Sequence, residues 1–242
     1  MSCKSNFSIF SDFKFEYRPV GVKFSPDLPE NLPRQNKVIS LCEMLKVAQD
    51  GNSFYVDREN HSCEAGRYVL GQAPANESFI NGKYGAGLKI FSGTRAASRL
   101  YLHIPVLDRG IVNYLSFSPL ENISFEPDLI ILIADTHQTE IILRAMSYNT
   151  GQIWLSKFTP AIGCAWTYIY PYKTGKLNYS LTGLGHGMKR RQLYPQGKQI
   201  ISIPSDLFPR IISALEEMEW ELPAYKRDGP EFVKNLIESI RD

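Results

Sequence analysis

The stretch LIILIADTHQTEIILRAMSYNTG, residues 129–151, sets the fold class of this 242-residue chain. Its first six residues are all apolar, which is typical of a strand that is covered on both faces. A helix is predicted to follow from about Gln138 to Tyr148 and to end near Gly151, since glycine favours helix ends. A strand buried on both sides and followed by a helix indicates a central sheet with helices packed against it.

The same alternation of strands and helices extends along the chain in both directions. We therefore predict an α/β fold, a single domain of residues 17–242 in which helices flank a central mixed sheet, preceded by an N-terminal arm of residues 1–16. Residues 72–91 are predicted to form a surface loop. The other predicted strands are 17–24, 52–56, 113–117, 152–155, 178–182 and 199–203, and the other predicted helices lie near 37–51, 60–70, 93–104, 159–174, 206–220 and 230–242.

An order of elements recurs within the chain. Residues 17–71 and 128–175 both read as a strand, a loop, a helix that ends in glycine, a short strand, and a helix that carries a cysteine. Cys63 lies twelve residues after Gly51, and Cys164 lies thirteen residues after Gly151. Residue identity between the two segments is poor. The echo therefore indicates either two pseudo-symmetric halves or a chance similarity.

The composition favours a soluble globular protein. Hydrophobic residues make up 43% of the chain, charged residues make up 21%, and the net charge is +2. This balance gives no reason to expect nucleic acid or a membrane as a partner, and no apolar run approaches the ~18 residues that span a bilayer. The oligomeric state stays open. A cytoplasmic location with free or metal-bound thiols is predicted, because the cysteines are too few for a disulfide scaffold: Cys3, Cys42, Cys63 and Cys164.

The cysteines are the first candidates for chemistry. Cys63 and Cys164 are expected near the starts of their helices, where free N–H groups and the helix dipole favour a negative charge and lower the pKa of a thiol. A thiolate is the form that attacks electrophiles and binds metals. The alternative is that both, like Cys42 beside Leu41, are small buried residues of the core.

A glycine-rich loop with a basic tail follows the second cysteine helix. Its sequence, GLGHGMKRR, covers residues 183–191. Exposed backbone N–H groups in such a loop can form a nest for an anion, with the basic side chains at its edge. A plain turn with a solvated basic face is the alternative. The candidate binding residues in this loop are Gly183, Gly185, His186 and Arg190.

Several segments together resemble one family. They are YRPVGVKF (17–24), HSCEAGRYVLG (61–71), SFSPLENISFEPDLIILIADTHQTEIILRA (116–145), GCAWTYIYPYKTGKLNYSL (163–181) and IPSDLF (203–208). In this order they are similar to the domain-of-unknown-function family one hundred and sixty-nine, over most of residues 17–219. The resemblance implies a cytosolic protein of prokaryotic type, with frequent cysteines at the positions of Cys42, Cys63 and Cys164. Family members also often carry a cysteine where this chain has Gly183. This departure argues against a four-cysteine metal site, and His186 is either a substitute ligand or a polar surface residue.

Three functions are compatible with these residues, and whether the protein is an enzyme stays open. The favoured function is binding of an iron–sulfur cluster or another metal through Cys42, Cys63 and Cys164, with a small molecule or a redox partner. The second is a binding module for a small anionic ligand that uses loop 183–191. The third is a thiol enzyme with Cys63 or Cys164 as nucleophile and a histidine, His61 or His186, as base.

Overall fold

One six-stranded sheet forms the centre of the protein. The computed structural model describes residues 7–226 and 228–240. Neighbouring strands pair in the order β2-β3-β1-β4-β6-β5, and every one of these pairs is antiparallel. The strands are β1 Val20–Ser25, β2 Phe54–Val56, β3 Tyr114–Pro119, β4 Leu129–Ala134, β5 Asn178–Leu181 and β6 Gln199–Pro204.

Eleven α-helices and one π-helical segment surround the sheet within the described residues. None of the helices in this part of the chain is long and apolar enough to cross a membrane. The α-helices are α1 Ile9–Asp12, α2 Leu41–Gln49, α3 Glu64–Val69, α4 Glu77–Ile80, α5 Lys83–Gly87, α6 Thr94–Tyr101, α7 Thr136–Tyr148, α8 Tyr170–Thr174, α9 His186–Arg190, α10 Phe208–Glu217 and α11 Gly229–Ser239, and the π-helical segment is Ala165–Ile169.

The predicted fold class is confirmed, but the direction of the strands differs from the prediction. A mixed sheet was expected, whereas the strands run antiparallel: Val22 in β1 pairs with Phe117 in β3 on one side and with Leu129 in β4 on the other. An alternation of strands and helices along a chain suggests parallel crossovers. Here the connections that contain helices return the chain in the opposite direction, which the order of elements alone does not reveal.

β4 lies near the middle of the sheet and is buried on both faces, as its apolar sequence predicts. Leu129, Ile131 and Ile133 pack on one face of the sheet together with α2 and the π-helical segment. We call this layer the site-side core. Ile130, Leu132 and Ala134 pack on the opposite face with α7 and α10. We call this layer the far-side core. Burial of each such aliphatic side chain contributes roughly 1.5–3 kcal/mol, so β4 stabilises both layers.

The described part of the N-terminal arm packs against the far-side core. Residues 7–16 include α1, and the rings of Phe10 and Phe13 are buried beneath α10 and Trp220. The first six residues of the predicted arm, Cys3 among them, lie outside the described residues.

Two irregular segments differ from their predicted structure. Residues 72–91, predicted as a loop, contain α4 and α5. Residues 152–155, predicted as a strand, are not in the sheet. The chain reaches the free edge of β5 just after them. There the Ser156 hydroxyl donates to the Tyr179 carbonyl and the Lys157 N–H donates to Asn178 Oδ1 at 2.8 Å. Side chains thus cover an edge that the backbone ladder leaves open.

The sheet carries a two-fold pattern that bears on the internal echo. The half β2-β3-β1 corresponds to the half β5-β6-β4: β1 matches β4, β2 matches β5 and β3 matches β6. The two halves meet where β1 pairs with β4. A two-fold axis between two antiparallel neighbours is perpendicular to the sheet and keeps each face on its own side. However, α2 packs in the site-side core and α7 in the far-side core. The pattern therefore covers the strands only, and an internal repeat of 17–71 in 128–175 stays a prediction.

Candidate functional site

A cavity of about 310 Å³ lies at the site-side core and brings the predicted site residues together. Cys42, Cys63 and Cys164 all line it, although they come from three separate elements. Of the four candidate residues in loop 183–191, all but Gly183 line the same cavity: Gly185, His186 and Arg190. This volume is at the lower end of the range for sites that bind small molecules.

Two of the thiols are positioned by a network around the start of α2. Cys42 is the second residue of α2, whose start is held by a capping box: the Ser40 N–H donates to Glu43 Oε2 at 2.8 Å, and Ser40 Oγ accepts from the Glu43 N–H at 3.4 Å. The Tyr168 hydroxyl, within the π-helical segment after Cys164, donates to the Leu41 carbonyl at 3.3 Å. The element that carries Cys164 is thus bonded to the element that carries Cys42.

The π-helical segment has a local cause in the sequence. Pro171 has no N–H for the Thr167 carbonyl, which an α-helix would require. The preceding carbonyl, that of Trp166, accepts from Asn178 Nδ2 on β5 at 2.8 Å. The widened turn places Cys164 directly before the segment, at its N-cap position. π-Helical turns often occur at functional sites for this reason, since they shift side chains away from the regular helix face.

Burial makes the thiols weaker acids than the sequence suggests. It raises the pKa of Cys42 from 9.0 to about 12, and it raises the pKa of Cys164 well above 9.0. Nearby thiols add to both shifts, Cys63 first in each case, because a second thiolate would repel the first. Cys42 is only half-buried by surface area because part of it faces the cavity, yet burial is the largest cause of the rise in its pKa. The expectation of a lowered pKa at Cys164 was therefore wrong: desolvation outweighs the helix start.

The three thiols do not form a ready site for a single metal ion. Among the described residues, no group of three or more His, Cys, Asp or Glu side chains is placed to hold one. A tetrahedral ion with metal–sulfur bonds of ~2.3 Å requires sulfurs roughly 3.8 Å apart. Binding of a metal ion or an iron–sulfur cluster by these thiols therefore stays a prediction.

One edge of the cavity carries unpartnered nitrogen atoms. His186 Nε2 is buried without a hydrogen-bond partner, and the exposed guanidinium of Arg190 makes no hydrogen bond or ion pair within residues 7–226 and 228–240. Burial first, then Arg190 and Arg191, lowers the pKa of His186. The imidazole is therefore neutral near pH 7, and it lies next to a free cation.

Two backbone N–H groups of the glycine-rich loop are bonded within the protein. The Leu184 N–H donates to the Leu181 carbonyl at 3.1 Å, and the His186 N–H donates to the Pro160 carbonyl at 3.0 Å. Gly183 packs towards Gln196, whose Cγ would lie 3.2 Å from an added Cβ. The N–H groups of Leu184 and His186 are therefore not free for an anion, and a backbone nest in this loop stays a prediction.

His61 lies outside the cavity despite its place two residues before Cys63. Its ring is 2% exposed and packs against Gly66, where an added Cβ would lie 2.4 Å from His61 Nε2. Burial lowers the pKa of His61 to about 4, with the Gln72 side chain as a partial offset, although neither ring nitrogen has a well-formed hydrogen bond. His61 is therefore a neutral packing residue, and the thiol-enzyme hypothesis loses one of its two candidate bases.

Helices α4–α6 form an aromatic wall that sequence reasoning missed. Phe79 in α4 packs edge-to-face on Tyr84 in α5, with ring centroids 4.9 Å apart, and stacks on Tyr101 in α6 at 6.1 Å. All three rings line the cavity, as does Phe91. The sequence feature that could have indicated this wall is the recurrence of aromatic residues within a Gly- and Asn-rich stretch. We call this unit, residues 77–101, the aromatic flap.

The aromatic flap depends on a glycine at the turn between α4 and α5. Gly82 has a φ of +78°, and an added Cβ would lie 2.1 Å from the Thr94 carbonyl oxygen. We expect Gly82→Ala to lower the free energy of unfolding by about 2–3 kcal/mol, because both the backbone angle and the contact with α6 oppose a side chain. Gly87→Ala, at the end of α5, is the control, because no atom lies within 4 Å of an added Cβ there. Urea titration measures both, and equal effects would contradict the role of Gly82.

Comparisons with known proteins cover the elements that build this cavity. The DUF169 family model, described as uncharacterised ArCR, matches residues 9–214. The uncharacterised protein MJ0308 of Methanocaldococcus jannaschii is 22% identical over 197 residues, which cover 80% of this chain and 83% of that protein. No solved structure matches the chain. The matched range includes every cysteine of the cavity.

Proposed function

This chain belongs to the DUF169 family, and we propose that it is a cofactor-binding protein that holds an iron–sulfur cluster through Cys42, Cys63 and Cys164. One observation carries the proposal: these three thiols, 21 and 101 residues apart in the sequence, line one cavity. Cysteines that served only to fill the core would have no reason to line the same cavity. Convergence from three separate elements supports a common ligand.

The electrostatics of the thiols support the same ligand. The thiols of Cys42 and Cys164, whose pKa values are raised, are protonated in the free protein, and they become good ligands only when a cation stabilises the thiolates. Binding therefore releases protons and strengthens as the pH rises. A cluster held by three cysteines would have one iron without a cysteine ligand. It would therefore supply an iron that can bind a ligand from the cavity.

The proposed setting is a reducing one. Free cysteines persist in the cytoplasm, where thiols are kept reduced. A redox partner or a small molecule is the corresponding proposed partner. The raised pKa of Cys164 disfavours this residue as the nucleophile of a thiol enzyme, since a protonated thiol is a poor nucleophile.

Metal analysis tests the proposal directly. The protein is purified without oxygen, reconstituted with iron and sulfide, and assayed for both elements and for visible absorption. We expect Cys42→Ala, Cys63→Ala and Cys164→Ala each to lower iron and sulfide content by about tenfold or more, because each removes a ligand. Cys3→Ala is the matched control, with content equal to the unmodified chain.

Circular dichroism of each variant separates loss of the cofactor from loss of the fold. Cys→Ser variants at the same positions keep the volume of the side chain where alanine destabilises the core. A folded, reconstituted protein without iron or sulfide would contradict the proposal. Full iron content in folded variants of any two of the three cysteines would contradict it equally.

A further inference from the structure

The cavity has a cationic edge beside its aromatic flap, and we propose that it binds a small organic carboxylate with a flat apolar body, anchored by Arg190 and His186. This inference deepens the proposed function because ligand and cofactor share the cavity, yet it makes its own prediction for the metal-free protein. The anchors are side chains, in contrast to the backbone nest that the loop sequence suggested.

The two neighbouring arginines differ in how the protein uses them. Arg191 is bonded within the fold, with its Nε 3.3 Å from Glu43 Oε2 and its Nη1 3.0 Å from the Gly187 carbonyl. Arg190 lines the cavity and makes no such contact within residues 7–226 and 228–240. A guanidinium presents a fork of donors that matches a carboxylate. Arg191 therefore holds α9 against α2, and Arg190 is free for a ligand.

His186 supplies a second donor at the same edge. Its Nε2 has no hydrogen-bond partner and almost no accessible surface, which is unfavourable, and the ring must turn to bring this nitrogen to a ligand in the cavity. Since the cations beside it and its burial both lower its pKa, the ring is neutral and offers one N–H. A carboxylate accepts from this N–H and from the guanidinium together, whereas a cationic ligand would be repelled by Arg190.

The rest of the wall selects the body of the ligand. Phe79, Tyr84 and Tyr101 present stacked and edge-on rings, and flat apolar groups pack well against such faces. The volume of about 310 Å³ equals roughly ten water molecules at ~30 Å³ each. In the metal-free protein the ligand is therefore at most about ten non-hydrogen atoms in size, and an inorganic anion would leave most of the wall unfilled.

Two carboxylates near the cavity do not cancel the cationic edge. Glu43 is bonded to Arg191 and to the Ser40 hydroxyl, with its Oε2 2.5 Å from Ser40 Oγ. Glu64 lines the cavity, but its Oε2 accepts from Asn76 Nδ2 at 3.3 Å, which places it beside the start of α4. Glu43 therefore has a cationic partner, Glu64 keeps its charge but lies beside α4, and the free charge at the α9 edge is positive.

Binding of two matched probes to the metal-free protein tests this inference. Benzoate carries the carboxylate, and benzamide has the same size and shape without the charge. By ligand-observed NMR titration at pH 7.5, we expect benzoate to bind at least about tenfold more tightly than benzamide, because a charged pair forms at the α9 edge. Arg190→Gln should remove this preference, and the control Lys189→Gln should keep it, since the neighbouring Lys189 does not line the cavity.

The outcomes separate this inference from the cofactor proposal. Equal binding of benzoate and benzamide, or equal effects of Arg190→Gln and Lys189→Gln, would overturn the carboxylate site even in a protein that takes up iron. Inorganic phosphate that binds as tightly as benzoate would overturn the role of the aromatic flap. A benzoate preference that depends on Arg190, in a protein that takes up no iron, would support the carboxylate site and contradict only the cluster.

Discussion

Replacing Asn178 with alanine is expected to lower the free energy of unfolding by about 3–5 kcal/mol, the largest effect of any single polar substitution proposed for this protein. The side chain is 1% exposed. Its Nδ2 donates to the Lys157 carbonyl at 2.9 Å and to the Trp166 carbonyl at 2.8 Å, and its Oδ1 accepts from the Lys157 N–H at 2.8 Å and from Ser156 Oγ at 3.0 Å. Alanine would leave the Trp166 carbonyl without this partner in a buried place and would remove both bonds to the Lys157 backbone, which are part-buried.

The substitution should also disturb the candidate site. Asn178 holds the π-helical segment that follows Cys164, so its loss should loosen that segment and increase the access of reagents to the Cys164 thiol. Urea titration measures the stability, and alkylation of Cys164 measures the access. Asn149→Ala is the control, because Asn149 is exposed and makes one side-chain hydrogen bond, to Glu217 at 3.2 Å. A loss of stability as small as that of the control would refute the role given to Asn178.

The Cys42 thiol should react slowly in the folded protein. A rise of its pKa from 9.0 to about 12 lowers the thiolate fraction at pH 8 by about 1000-fold, while the higher intrinsic reactivity of a more basic thiolate restores about 20-fold. We therefore expect alkylation by iodoacetamide to be about 50-fold slower than in the unfolded chain. The measurement uses a chain with Cys42 alone, from Cys3→Ser, Cys63→Ser and Cys164→Ser.

The control is the same chain in concentrated urea, where burial no longer acts on the thiol. Loss of the neighbouring thiols reduces the shift only in part, because burial is its largest cause.

The same shift makes stability depend on pH. The folded state keeps its proton up to about pH 12 and the unfolded state loses it near pH 9, so stability is intact below pH 9 and falls at higher pH by about 1.4 kcal/mol per pH unit. Folded and unfolded alkylation rates that agree would refute the shift.

The elements predicted best are those whose signals are local. The apolar run of β4 and the helix that follows it were predicted, as was α2, because apolar periodicity and end residues act within a few positions. The aromatic flap was missed, since its helices α4 and α5 are each a single turn long and rich in glycine and asparagine. Such short helices are held by packing of their rings rather than by propensity.

The sequence by itself determined the fold class, the buried centre of the sheet and the identity of the candidate thiols, because these depend on residue type and short-range pattern. Only the tertiary structure decided that the strands are antiparallel, that Cys42, Cys63 and Cys164 line one cavity, and that His61 does not. It also reversed the expected sign of the pKa shift at Cys164. The physical reason is that burial and charge coupling arise from residues far apart in the chain, whereas helix starts and apolar runs arise from neighbours.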